Sequence, residues 1–147
     1  MQGTPDLYHP VILELSKNPP HFARDASGAC TVHAINHYCG DKFQITFDLD
    51  VNVQNPTFQG YGCAVSKAAT AVLVAGMGGR TLLEVSARCK QVLAFLNGAG
   101  EAPQFDPRLQ AFAAVRAHPG RLQCATLSWQ AVLDECDRLR KESPESV

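Results

Sequence analysis

Six cysteines carry the chemistry open to this sequence, and their surroundings divide them into two sets. Cys39, Cys63 and Cys124 stand at junctions between predicted elements. Asp41 follows Cys39 by two residues, a spacing that turns both side chains the same way in an extended chain. Three thiolates and a carboxylate can form a tetrahedral set for zinc or anchor an iron–sulfur cluster. Their spacing is nothing like the tight C-x-x-C pairs of zinc fingers, so spacing alone leaves open whether they share one site. Cys30, Cys89 and Cys136 fall instead on apolar stripes, where a free cysteine behaves as a small buried hydrophobe. His33 and His37 would be the bases of a cysteine hydrolase, but no signature frames them, and a strand histidine is by default exposed or hydrogen-bonded. Lys67 and Arg121 lie near the junction cysteines in sequence and could offset their negative charge, or could simply be exposed residues.

The stretch that must position Cys63 is Gln59–Gly79. Val65, Ala68, Ala69, Val72, Leu73 and Gly76 repeat at the spacing of one helical face. The opposite face (Ala64, Ala71, Ala75) is hardly more polar, so this helix is expected to be buried on most sides and to end at Gly76, Gly78 and Gly79. Cys63 would sit at its mouth, where free backbone N–H groups and the helix dipole favour a thiolate. Gly60 and Gly62 would leave room for an approach to that sulfur.

The other elements follow from periodicity. Residues 5–16 carry an amphipathic stripe, with a helix that either kinks or begins at Pro10 and stops at Lys17-Asn18-Pro19-Pro20. Residues 29–37 alternate as a strand, Cys30, Val32 and Ala34 on one face and His33, Ile35 and His37 on the other. Tyr38–Asp41 makes a turn, and Phe43–Leu49 is a second, half-buried strand. Val53–Gln59 is a third, with Pro56 marking an edge or a bulge. Thr81 and Glu84 form a capping box for a helix running to about Asn97. Asp106-Pro107 opens a short helix with Leu109, Phe112 and Ala113 inward. A last helix from about Leu122 carries Ala125, Trp129, Val132, Cys136 and Leu139, and its charged tail from Arg138 is expected to fray. The fold class is α+β: a small three-stranded antiparallel sheet with helices on one face, in a single domain over residues 1–147.

Composition narrows the function. The chain is 46% hydrophobic and 18% charged, with 13 basic and 14 acidic residues and a net charge of −1. That balance gives no basic surface for nucleic acid or membranes. No signal peptide and no membrane-spanning run is visible, so a cytoplasmic setting is expected, where six cysteines point to metal or sulfur chemistry over disulfides.

Four motifs in order give the sequence a family resemblance over nearly its whole length. Lys17-Asn18-Pro19 resembles the KNP that follows the first helix of the IscU/NifU-type iron–sulfur assembly family. Tyr38-Cys39-Gly40-Asp41 resembles its CGD turn, Gly60–Ser66 its G-x-G-C-x-x-S segment, and Arg121–Trp129 its R-x-x-C-A-x-L-x-W segment. An extra stretch, roughly Gly98–Ala117, and Gln123 in place of the IscU histidine make the chain similar to the SufU branch. Gln123 also departs from the lysine usual in that branch, and Pro20 from the arginine of KNPRN. The resemblance implies zinc held by Cys39, Asp41, Cys63 and Cys124. It implies that Cys39 accepts persulfide sulfur from a SufS-like cysteine desulfurase, for delivery to an iron–sulfur scaffold or recipient apo-proteins. Any enzymatic role would be that of a sulfurtransferase working with the desulfurase, not an independent catalyst. In the IscU reading the same residues hold iron in a [2Fe–2S] cluster under assembly; a structural zinc module is the remaining alternative. The hard carboxylate is the ligand least suited to a soft thiolate site, which makes Asp41 the one expected to exchange.

Overall fold

The computed structural model describes residues 9–23, 28–37 and 40–142. Helix α1 (Pro10–Lys17) begins at its proline, as one of the two expected alternatives had it. Pro10 lacks only a donor that a first turn leaves unused, and His9 caps that turn by accepting the Val11 N–H at its Nδ1 (3.1 Å). Ile12 and Leu15 are buried, and α1 packs on the central helix.

Strands β1 (Cys30–Ile35), β2 (Lys42–Leu49) and β3 (Val53–Tyr61) form an antiparallel sheet in the order β1-β2-β3. Alternation sends Val32, Ala34, Phe43, Ile45, Phe47 and Phe58 into the core. His33 and Ile35 point the other way and are exposed. β1 is shorter than expected, because His37 already belongs to the turn. Pro56 does what its chemistry requires. It sits on an edge strand and within a bulge, where the β2–β3 register slips between Thr46 and Asp48 and Asn55 takes a φ of 51°. The far side of β3 is covered by residues 21–23: Ala23 N–H donates to Phe58 O (2.9 Å) and Phe58 N–H to His21 O (3.0 Å).

Helix α2 (Ala64–Ala75) is buried along most of its length, as its composition demands. It packs on β3, α1 and α4, while α4 (Pro119–Glu142) covers β1, α2 and α3 (Leu82–Leu96). The capping box of α3 is present in both directions between Thr81 and Glu84. Pro107–Ala117 is a 3₁₀ helix of 11 residues. At three residues per turn it stacks Leu109, Phe112 and Val115 on one buried face, and Ala113 is only partly buried. Both ends of α4 differ from expectation. α4 starts at Pro119, since His118 O accepts the Arg121 and Leu122 N–H groups and proline is tolerated in the first turn. It also continues through Arg138–Glu142, where side-chain pairs Arg138–Glu135, Arg138–Glu142 and Arg140–Asp137 at helical spacing support the last turns against the expected fraying. Residues 143–147 lie outside the described part.

Candidate metal centre

Asp41 is delivered by the β1–β2 hairpin. Asn36 N–H donates to Asp41 O and Gly40 N–H to Asn36 O, both at 2.9 Å, with Gly40 at a φ of 80° that favours glycine. The carboxylate is only 3% exposed. Its Oδ1 accepts the Cys63 N–H at 3.1 Å. Its Oδ2 is buried and has no hydrogen-bond partner among the described residues. A buried carboxylate oxygen without a partner is costly in a folded protein, and a cation resolves that cost.

Cys63 is the N-cap of α2. Its Sγ accepts the Ser66 N–H (3.4 Å), and Ser66 Oγ donates back to Cys63 O (3.1 Å). The sulfur therefore faces the positive end of the helix dipole. Gly60 and Gly62 allow close packing here. A Cβ on Gly62 would stand 2.4 Å from Ser66 Oγ and 2.8 Å from Asp41 Oδ1, and one on Gly60 would stand 2.1 Å from Lys42 O. Gly60 lets the end of β3 lie against the start of β2, and Gly62 fits beside Asp41 and Ser66 where a Cβ would not.

Cys124 comes from the buried face of α4 and is 2% exposed. One ligand atom from each of Asp41, Cys63 and Cys124 lies within 4.8 Å of the others. Around zinc with bonds of about 2.3 Å, tetrahedral ligands stand about 3.8 Å apart, so a contraction of about 1 Å or less would suffice. Two sulfurs and one hard oxygen suit zinc or iron. Burial first, then the Asp41 carboxyl and the Cys63 sulfur beside it, push the Cys124 thiol well above its ordinary range. A divalent cation inverts that balance, because it favours the ionised form of every ligand at once. Cys39, the fourth expected ligand, lies outside the described residues.

A hydrogen bond absent from the sequence reading ties the two cysteine-bearing helices together. Thr70 Oγ1 and Ser128 Oγ are 2.7 Å apart and buried, and Thr70 Oγ1 also lies 2.9 Å from Ser66 O. The signal was present as a threonine among alanines, one helical turn beyond Ser66. Among the described residues, neither His33 nor His37 joins the ligand group. The Lys67 ammonium lies 4.9 Å from the centre of the Phe22 ring. Cys89 and Cys136 are core residues, and Cys30 is half-buried against the same core.

A helix-capping cysteine, a second helix cysteine and a buried hairpin carboxylate define a class: an α+β domain whose converging donors are able to hold a metal ion. The chain belongs to the family of NifU-like N-terminal domains, which it matches over residues 7–131. It is 29% identical over 128 residues, 86% of each chain, to the zinc-dependent sulfurtransferase SufU of Bacillus subtilis (strain 168). It is 27% identical over 134 residues, 90% of this chain and 84% of the other, to the iron–sulfur cluster assembly scaffold protein IscU of Streptococcus pyogenes serotype M1. The fold matches the N-terminal part of a nitrogen-fixing NifU-like protein from Brucella abortus, with a TM-score of 0.78 at 24% identity, covering 93% of this chain and 96% of that one. No helix among the described residues is long and apolar enough to cross a membrane.

Proposed function

We propose that this chain serves iron–sulfur cluster assembly as a zinc-bound acceptor of persulfide sulfur, acting as one domain in the cytoplasm. The observation that carries the reading is the convergence of Asp41, Cys63 and Cys124 around a buried carboxylate oxygen that lacks a partner among the described residues. Similarity to a zinc-dependent sulfurtransferase supports it. Cys39, two residues before Asp41 in the chain, completes the ligand set and takes the sulfur. When bound, zinc keeps its cysteine ligands in the thiolate form at neutral pH.

The sulfur donor is a SufS-like cysteine desulfurase. The Cys39 thiolate attacks the outer sulfur of the enzyme's persulfide; one S–S bond forms, the enzyme's S–S bond breaks, and the enzyme's cysteine leaves as a thiolate. No net oxidation occurs, and the sulfur passes on to a scaffold or recipient apo-protein. Asp41 Oδ1 accepts the Cys63 N–H and Ser66 Oγ donates to Cys63 O, so the Cys63 backbone stays in place during the exchange. The same donor set would also hold a [2Fe–2S] cluster, a second reading favoured by the similarity to IscU.

Purification without oxygen, with zinc, iron and acid-labile sulfide measured together, separates the two. The expected result is about one zinc per chain, little sulfide, and faster desulfurase turnover that Cys39→Ser abolishes. A stable cluster passed intact to an apo-ferredoxin, with desulfurase turnover unchanged, would establish the scaffold reading instead.

A further inference from the structure

The two edges of the sheet are finished differently. β3 is covered by residues 21–23, whereas β1 has no strand beside it among the described residues. Register shows which groups that leaves outward. Asn36 and Asp41 are joined through Asn36 N–H and Asp41 O, so Ala34, Val32 and Cys30 are the β1 residues that bond to β2. The backbone N–H and C=O groups of Thr31, His33 and Ile35 therefore face away from the sheet, and all three residues are exposed.

Two clefts flank this edge, and two of the β1 residues with outward backbone groups, His33 and Ile35, line both. On the open face of the sheet, a cleft of about 460 Å³ runs between the cross-strand rows His33–Gln44–Gln59 and Ile35–Lys42–Tyr61. Ile35 and Tyr61 are exposed apolar residues there, Lys42 supplies a cation, and no carboxylate is among the lining residues. On the other side, a cleft of about 450 Å³ separates β1 from α4, with Leu127 and Ala131 in its wall and Gln123, Thr126, Gln130 and Asp134 beside them. An unpaired strand edge with a side-chain cleft on each side has the form that receives an added strand, whose successive side chains point alternately to the two faces. β1 also runs directly into the turn that delivers Asp41.

We propose that β1 is a docking strand: an extended segment of the sulfur-donating desulfurase pairs along its free edge, placing an acidic side chain beside Lys42. The proposal rests on the sulfur-acceptor reading above, since that reading supplies the partner. Backbone pairing provides the affinity, the Lys42 side selects an acidic residue, and the α4 side takes an uncharged one, because Asp134 lies there.

The test uses the full chain and the desulfurase. His33→Pro removes an N–H that the sheet itself does not use, so zinc content should stay at the wild-type level while desulfurase binding weakens about tenfold or more. Lys42→Glu should weaken binding several-fold, and Lys90→Glu, which lines neither cleft, should not. In the wild-type complex, amide hydrogen exchange read by NMR should slow at Thr31, His33 and Ile35 and change little at Val32 and Ala34, an alternation that general shielding would not produce. If His33→Pro loses its fold, that exchange pattern decides alone. Normal desulfurase binding and stimulation by folded His33→Pro, or uniform protection along β1, overturns the docking strand and leaves the sulfur-acceptor reading standing. A wild-type chain that neither binds nor stimulates the desulfurase overturns both. Protection that instead grows with protein concentration in the absence of the desulfurase assigns the edge to a second copy of this chain and overturns the proposed occupant.

Discussion

Cys124 and Cys136 share the buried face of α4, 2% and 1% exposed, and their surroundings give them opposite parts. Cys124 meets Asp41 and Cys63, so its sulfur joins two other ligand atoms around a carboxylate oxygen without a partner among the described residues. Cys136 lies in the core, on the α3–α4 contact where Ser86 Oγ approaches Asp137 Oδ1 (3.4 Å). Burial alone does not distinguish the two thiols. What separates them is whether other groups converge that need a cation, and that depends on residues brought in from other elements.

The sharpest way to break the comparison is to remove one sulfur from each set. Cys63→Ser or Cys124→Ser should reduce zinc affinity by about 100-fold or more, since losing even an outer partner of a metal ligand costs roughly 10–100-fold. Metal content per chain after dialysis against a chelator checks this. Cys136→Ser should retain full zinc. If Cys136→Ser loses the metal and Cys124→Ser does not, the two sets have been assigned the wrong way round.

Asp41→Asn comes next. It keeps an acceptor for the Cys63 N–H but removes the charge, and zinc affinity should fall by roughly 10–100-fold with the fold intact. Competition with a chromophoric chelator measures it, and undiminished affinity would remove Asp41 from the ligand set.

Stability should reveal the core set. Cys136→Ser puts a hydroxyl among apolar atoms and should cost about 1–3 kcal/mol in denaturant unfolding of the metal-free chain. Chelation should lower the melting temperature of wild type and Cys136→Ser alike by several degrees, because the ion cross-links a hairpin to two helices. It should have little effect on Cys63→Ser.

Alkaline pH gives an effect spread over a wider range. Burial first, helped by Asp137 and Glu135, pushes the Cys136 thiol from an ordinary 9.0 up to about 12. The folded state thus holds a proton that the unfolded state releases. The associated stability is complete below about pH 9 and is lost as pH rises through about 12, by up to ~1.4 kcal/mol per pH unit. Cys136→Ala should flatten that part of the curve; an identical slope would mean other groups control it. The smallest effect is expected from Thr70→Val, which leaves Ser128 without its buried partner and should cost about 1–2 kcal/mol, with only a modest loss of zinc affinity.

Much of the architecture was legible because it is local. The alternation through β2, the Thr81–Glu84 capping box, the alanine-rich face of α2 and the positional meaning of Pro10 and Pro56 depend on near neighbours, and each appears in the structure. Helix ends were harder. The pairing of Arg138 with Glu135 and Glu142 that carries α4 to Glu142 competes closely with fraying, and composition alone did not decide it. The division of the cysteines also came from the sequence, because apolar stripes and turn residues mark Cys89 and Cys136 apart from Cys63 and Cys124. Only tertiary structure decided that Cys63 and Cys124 share a space with Asp41. It also decided that Gly62 packs beside both Asp41 and Ser66, and that Thr70 meets Ser128 across two helices. Contacts between distant segments depend on how helices and sheet pack as solids, and periodicity within a segment carries no information about which face of another segment it will meet.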